Sequence, residues 1–384
     1  MGFTGAKRMY IRTPKKRRSS PVRVFILLVL VATGGYFLSL LSQGKIKPIQ
    51  IGPTPTATPS ADEVMAEAHA QYLEGDLDEA IAKYRQAAAL DPTDPMPYIW
   101  WSHLLTLRKH TAEAIEKARQ AVGLAPDRAE ALAALCMALD WDAEGDQAKL
   151  QEALSTCLSA VDLDPGYAEA HAYLAEVYAD LGQIQQAVEE ARLAVSLDDS
   201  SVFAHRDLGY ALARQRKYRE AVAEYQRASQ LHPRLAQPYI DLGHTHMAYN
   251  RYKDALAAYE KATVVDPNNA YAFDALGWAY FQVGNHQRAA VVLQKATEVD
   301  PNYAPAYGRL GLTYYVLRNY EDAIPAFKKA IELGSPNVEY LYELGLAYVY
   351  LGRCDEARPW LLKAIEIDPN ASPAWEGLDL CSEK

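Results

Sequence analysis

Two apolar stripes run through the stretch around LGWAYF, Leu276 to Phe281. Phe273, Leu276, Gly277 and Tyr280 are spaced 3, 1 and 3 apart, which is one face of a helix. Tyr271, Asp274, Trp278 and Phe281 are spaced 3, 4 and 3, a second stripe turned by roughly 130° at about 100° per residue. A soluble helix needs one packing face, and this one carries two. Helical runs fill residues 61–381 and are punctuated at regular intervals. Leu90-Asp91-Pro92, Leu124-Ala125-Pro126, Leu163-Asp164-Pro165, Leu231-His232-Pro233, Val265-Asp266-Pro267, Val299-Asp300-Pro301 and Ile367-Asp368-Pro369 are one motif repeated. Pro92 and Pro126 are 34 residues apart, as are Pro233, Pro267 and Pro301. An alanine stands twelve residues before each of these prolines, from Ala80 to Ala357, and another five before, from Ala87 to Ala364.

A 34-residue period with small residues at fixed places resembles the tetratricopeptide repeat, a helix-turn-helix unit. In the unit beginning at Ala236, residues Tyr239, Leu242, Gly243, Ala255, Tyr259, Ala262 and Pro267 occupy the family's positions 4, 7, 8, 20, 24, 27 and 32. Small residues let two antiparallel helices approach, large ones fill the space around the contact, and proline stops the second helix. Gly75, Gly182, Gly284 and Gly352 fall where a first helix must end and turn. The resemblance implies an all-α fold: a right-handed superhelical solenoid of about nine units. Their expected bounds are 61–94, 95–128, 129–167, 168–201, 202–235, 236–269, 270–303, 304–337 and 338–371. Residues 372–384 are expected to form a capping helix over the exposed end. The third unit carries about five extra residues around Asp140–Lys149, expected to lengthen its inter-helix turn. The fourth has Asp199 in place of proline, and the eighth has Pro336 one residue late.

The first sixty residues are different. Val24 to Ser42 holds nineteen residues without a charge, about 28 Å as a helix and close to the thickness of a bilayer's hydrocarbon core. Residues 1–23 precede it with eight basic residues, so the positive-inside rule keeps the N-terminus cytoplasmic and translocates the rest. A cleaved signal peptide is the rival, with Ser42 and Gly44 at −3 and −1 of a cut before Lys45, but its apolar core would be only about 7–15 residues. The run PKKRR beside this span sets orientation and touches anionic lipid better than it serves as a nuclear signal. Residues 43–60 alternate Pro and Thr, an extended spacer; Thr54, Thr56 and Thr58 are the places where O-linked sugar would attach. The chain thus reads as a cytoplasmic tail (1–23), signal anchor (24–42), linker (43–60), repeats (61–371) and cap (372–384).

Charge sharpens that division. Residues 1–60 contain no acid and ten of the 39 basic residues, leaving 29 basic against 49 acidic in the remainder, a net −20. An acidic body repels phosphates, which argues against nucleic acid. The nine histidines form no metal or nucleophile motif: His171 and His205 fall at packing positions, and His244 and His246 point to different faces. Carboxylates read as spread over solvated helix faces. No catalysis, metal or cofactor is expected. Cys136 and Cys157 hold repeat positions that face each other, and Cys354 and Cys381 come close if the cap packs on the ninth unit. Two disulfides would suit an oxidising compartment; four buried thiols are the alternative. Asn370-Ala371-Ser372 is a lone glycosylation sequon.

In this family the first helices line a concave groove, through positions 2, 5, 9, 12 and 13. Units five to nine place there Phe203, Arg206, Tyr210 and Arg214; Ile240, His244 and Met247; Tyr271, Asp274, Trp278 and Phe281; Leu312 and Tyr315; and Tyr342, Leu346, Val349 and Tyr350. Of these, Tyr210, His244, Met247, Tyr271, Trp278, Phe281, Tyr315, Tyr342 and Tyr350 are the candidate partner-binding residues. The competing reading packs them against neighbouring repeats or a homo-oligomer partner. Arg206 and Arg214 are too few to form the basic clamp with which some relatives grip a C-terminal carboxylate. The expected function is a membrane-anchored scaffold for protein or peptide partners, assembling envelope complexes with its repeats outside the cytoplasm. The alternatives are a glycan- or polysaccharide-binding or export-assembly protein, and a tethered adaptor facing the cytoplasm.

Overall fold

The computed structural model describes residues 20–45, 59–334 and 337–382. The basic tail before Ser20, the spacer 46–58 and the displaced Pro336 lie outside the described residues. The chain divides into two units, residues 1–58 and 59–384. In the first, helix α1 (Pro21–Ser42) runs 22 residues with Pro21 at its first turn and no buried residue. Its mean hydropathy of 2.4 and its length suffice to cross a bilayer.

The second unit is nine helix pairs and a final helix. The first three pairs are α2 (Ala61–Glu74) with α3 (Leu77–Leu90), α4 (Met96–Leu107) with α5 (Thr111–Leu124), and α6 (Ala129–Ala143) with α7 (Gln147–Leu163). Next come α8 (Ala168–Asp180) with α9 (Ile184–Leu197), α10 (Val202–Arg214) with α11 (Tyr218–Leu231), and α12 (Gln237–Ala248) with α13 (Tyr252–Val265). The last three are α14 (Ala270–Gln282) with α15 (His286–Val299), α16 (Ala304–Val316) with α17 (Tyr320–Glu332), and α18 (Val338–Tyr350) with α19 (Cys354–Ile367). Helix α20 (Ser372–Ser382) packs on α18 and α19. Among the described residues all regular structure is helical.

The repeated punctuation works through both of its polar and cyclic residues. The aspartate of Leu-Asp-Pro sits in extended backbone just past each second helix, and its carboxylate accepts a backbone N–H two residues on: Asp91 from Thr93 at 3.0 Å, Asp300 from Asn302 at 2.9 Å. Asp198 makes the same turn with Ser200 at 2.8 Å, so the fourth repeat stops without a proline. First helices end on a left-handed residue: Gly75, Gly182, Gly284 and Gly352 have φ of 73° to 83°. Lys109, Arg216, Asn250 and Arg318 hold the same place at φ of 58° to 63°. The third repeat departs from expectation. Its turn is still three residues, 144–146, and the extra length goes into α6 and α7, of 15 and 17 residues. Nothing in Asp140–Ala143 breaks a helix, and burial of Trp141 holds the added turn down.

Each pair closes at one contact. A Cβ built on Gly277 would lie 2.6 Å from Leu293 Cγ, and on Gly311 2.6 Å from Phe327 Cδ1. Gly209 faces Tyr225, Gly243 faces Tyr259 and Gly345 faces Leu361 in the same way. Tyr225, Tyr259, Leu293, Phe327 and Leu361 are buried against those bare backbones.

The series also winds back on itself. His232 Nε2 donates to the Tyr72 carbonyl at 3.1 Å, and Arg234 pairs with Glu74. Arg108 pairs with Asp78 at 3.1 Å and with Asp266 at 3.3 Å, and Asn268 Nδ2 donates to Asp78 at 3.0 Å. Residues 160 apart thus touch, and the first two pairs meet the fifth and sixth. This winding buries Phe203, Arg206, Ile240 and Asp274 on the inner side.

The same substitution should have opposite signs at two glycines. Gly277→Ala is expected to destabilise the repeat unit by about 1–3 kcal/mol, because the methyl group overpacks the contact with Leu293. Gly123→Ala, in α5 with open space around it, is expected to stabilise by up to about 1 kcal/mol. Urea denaturation of the two variants measures both; equal effects would remove the close approach as the governing contact.

Candidate functional site

The repeats carry two clusters of contrasting chemistry. The first lies across the second to seventh pairs and is ionic. Arg206, only 4% exposed, donates to both Glu176 oxygens at 2.7 Å, to Asp207 Oδ1 at 2.6 Å and to Asp241 Oδ2 at 3.0 Å. Trp141 Nε1 donates to Glu176 at 3.1 Å, Gln237 to Asp241 at 3.0 Å, and the Tyr210 hydroxyl to Asp180. The Arg206 guanidinium lies 4.9 Å from the Trp141 ring centre, and the Lys109 ammonium 4.3 Å from it. Asp140 is 4% exposed, and its Oδ1 has no hydrogen-bond partner. Asp207 is fully buried with Oδ2 equally unpartnered. Burial first, and then the charges of Glu176 and Asp180, push the Asp140 carboxyl well above the usual carboxylate range. Around these groups is a cavity of about 220 Å³ that also reaches Glu144, Asp180, His244 and Tyr271.

This corrects the expectation that the carboxylates lie on solvated faces. Asp140, Glu176, Asp207, Asp241 and Asp274 are buried, because the winding covers the side of the first helices they occupy. Arg206 is committed to three carboxylates and is not available to grip a C-terminus. The same groove positions in the third and fourth repeats hold Asp140, Trp141, Glu176 and Asp180. Reading those positions in every repeat, not only the last five, finds them.

The second chemistry is aromatic and lies in the last three pairs. Trp278 and Phe281 stack at 4.7 Å with 7° between planes, with the Arg309 guanidinium 5.1 Å from the Trp278 ring. Arg309 is held in turn by buried Asp274. Tyr320 stacks on Tyr350 at 5.0 Å, and Tyr315 meets Tyr320 at 5.6 Å. Tyr350 is 53% exposed. Trp278, Phe281, Tyr315, Tyr320 and Tyr342 are half-buried. Glu343 stands beside them with Oε2 unpartnered, and burial lifts its carboxyl to about 7. Tyr320, the first residue of a second helix, lies outside the groove positions and carries no mark in the sequence.

The remaining candidates divide between these two regions and the packing. Tyr210, His244 and Tyr271 line the acidic cavity; the exposed His244 ring contacts the hydroxyls of Tyr271 at 3.1 Å and Tyr259 at 2.7 Å. Met247 packs half-buried against the core. Tyr280 is structural: its buried ring sends the hydroxyl to Glu260 at 2.6 Å. His171 and His205 are buried braces, each with Nδ1 2.7 Å from a glutamate of the partner helix. Cys136 faces Cys157 with Cα atoms 5.3 Å apart, and Cys354 faces Cys381 at 5.5 Å. Among the described residues no group of three His, Cys, Asp or Glu is arranged to hold a metal ion.

Family models described as tetratricopeptide repeats match residues 68–100, 156–189, 246–284, 270–303 and 309–372. No curated protein sequence matches the chain. Among solved structures, the Cut9–Hcn1 hetero-tetramer of APC/C is similar over 92% of this chain and 81% of that one, at 16% identity and a TM-score of 0.52. Its likeness concerns the fold. YrrB, described as a TPR protein with an unusual peptide-binding site, covers 50% of this chain and 99% of its own, at 23% identity and a TM-score of 0.42. PilF of Pseudomonas aeruginosa covers 57% and 99%, at 21% identity and a TM-score of 0.48.

The buried carboxylate makes a pH-dependent cost. The folded pKa of Asp140 lies above its unfolded value of about 3.9, so the folded state keeps the proton longer as pH rises. Stability from this group is therefore full below about pH 4 and falls as pH climbs toward the folded pKa. Asp140→Asn should remove that fall, the gap between variant and parent widening by about 1.4 kcal/mol per pH unit across the window. Urea midpoints at several pH values between 4 and 7 measure it; parallel curves would place Asp140 in a solvated site.

Proposed function

The chain belongs to the tetratricopeptide-repeat family, and from that premise we propose that it is a membrane-anchored scaffold whose aromatic inner surface holds a protein partner. Repeats of this kind support protein–protein interaction. The observation that carries the reading is the aromatic strip of the last three repeats. Trp278 with Phe281, and Tyr315 with Tyr320 and Tyr350, lie half-open to solvent while Gly277–Leu293 and Gly311–Phe327 already fill the helix contacts. These rings pack by one side against the core and keep another side open; an open aromatic side can anchor a segment laid across it, and a preformed surface lowers the ordering cost. Crosslinking mass spectrometry on native membranes should give discrete partners that disappear in Trp278→Ala and Tyr315→Ala. Retention of a glycan by the parent protein, with no crosslinked protein, would replace this reading with glycan binding.

Anchoring and orientation belong to the same proposal. Helix α1 is apolar enough to span, and the positive charge lies before it. The cysteine pairs support placing the repeats in an oxidising compartment, since their Cα distances of 5.3 and 5.5 Å suit disulfides. Protein alkylated directly from cells should gain no label, and after reduction it should gain label on all four cysteines. In spheroplasts, added protease should digest the repeats. Free thiols together with protected repeats would turn the protein round, into a tether facing the cytoplasm.

A further inference from the structure

The acidic cavity is lined by residues other than the stacked rings of the aromatic strip, and its paired groups tie α6, α8, α10 and α12 together while leaving acceptors over. Five carboxylates line it, Asp140, Glu144, Glu176, Asp180 and Asp241, against two cations, Lys109 and Arg206. Arg206 is spent on Glu176, Asp207 and Asp241. Asp180 has only the Tyr210 hydroxyl, Glu144 is exposed at the rim, and Asp140 is 4% exposed with Oδ1 unpartnered. A buried carboxylate oxygen without a donor costs free energy unless something supplies one.

We propose that this cavity is a subsite for an arginine side chain of the partner segment, with its guanidinium meeting Asp140 between the rings of Trp141, Tyr210 and Tyr271. The inference rests on reading the inner surface as a partner-binding face. Charge favours a cation: even with the proton that burial holds on Asp140, the other four carboxylates outnumber Lys109 and Arg206 by two, and an arriving guanidinium displaces that proton to solvent. Shape favours a long side chain: about 220 Å³ is the space of some seven waters at about 30 Å³ each. The lining favours a guanidinium, which forks onto carboxylates and stacks on aromatic faces, where an ammonium does neither as well. The protein already displays that arrangement once. Arg206 forks onto Glu176 while lying 4.9 Å from the Trp141 ring centre. The Lys109 ammonium lies 4.3 Å from the Trp141 ring centre and 5.3 Å from that of Tyr271. Asp140 is the acceptor left over.

The probe is the blocked peptide acetyl-Ala-Ala-Arg-Ala-Ala-amide, with citrulline in place of arginine as its uncharged isostere, titrated into the full chain in detergent micelles. The arginine peptide is expected to bind at least tenfold more tightly than the citrulline peptide. Asp140→Asn should abolish that preference, and Glu144→Gln at the rim should weaken it; circular dichroism checks that both variants are folded. Trp278→Ala should leave the preference intact, because that ring belongs to the other region. Equal binding of the two peptides, or a preference that survives Asp140→Asn, overturns the proposal. Spermidine binding more tightly than the arginine peptide, and lost in Asp140→Asn, overturns it in favour of a free polyamine. Crosslinked partners that depend on Trp278 without any arginine preference would sink this subsite and leave the scaffold reading standing. An arginine preference without crosslinked partners would do the reverse.

Discussion

Everything in the repeat unit depends on how closely the two helices of each pair approach at one point. The position in the first helix holds glycine in the last five repeats, against Tyr225, Tyr259, Leu293, Phe327 and Leu361. Three earlier repeats meet the same constraint with two small residues: Ser102 and Ala118, Cys136 and Cys157, Ala175 and Ala191. The first repeat sets Ala68 against the buried Tyr84, so the partner of a large ring is at most a methyl group, and elsewhere both residues are small. That rule fixes the distance between helices and, through the repetition of nine pairs, the curvature of the series.

The curvature has a consequence that no single repeat contains. It brings residues 160 apart into hydrogen-bond contact, as His232 with Tyr72. A concave surface that would be wet in a looser winding becomes an interior, and its polar residues must then be paired there. Arg206 answers three carboxylates at 2.6 to 3.0 Å. Such pairs seldom add net stability, because desolvation offsets the attraction, but losing one partner leaves a buried charge. Lys109, Trp141 and Tyr271 complete an interior that is ordered by charge, while the outer contacts are ordered by size.

This difference decides what the sequence discloses. The size rule is local and periodic, so the glycine, the alanines and the Leu-Asp-Pro punctuation announce helix pairs and the nature of the fold directly. The stripe of Trp278 and Phe281 is local too, and it separates from the packing stripe of Leu276 and Tyr280 on spacing alone. Burial of Asp140 or Asp241 depends on the winding, whose contacts join residues 160 apart, and no window of 34 residues can contain those. Tyr320 joins the aromatic strip from a second helix, a position the repeat pattern does not assign to the groove, because it stacks on Tyr350 of the next repeat. The extra residues of the third repeat misled because five added residues look like a longer loop. Helix propensity and the burial of Trp141 absorbed them instead.

The third repeat is also where cost and support coincide. Its first helix carries Asp140, whose unpartnered oxygen is the least satisfied carboxylate of the cavity, one turn after Cys136. In a solenoid, stability is close to a sum of local terms and nearest-neighbour interfaces, so a penalty in one repeat is best met within that repeat. The proposed Cys136–Cys157 bond closes a separation of 21 residues across this same pair, a loop for which chain entropy gives about 3 kcal/mol. That is the scale of the cost of leaving a buried polar group without its partner, about 1–3 kcal/mol. A carboxylate held ready for an incoming cation can persist in a helix pair stapled one turn away. In a repeat held only by alanines, the same carboxylate would loosen the winding that buries it.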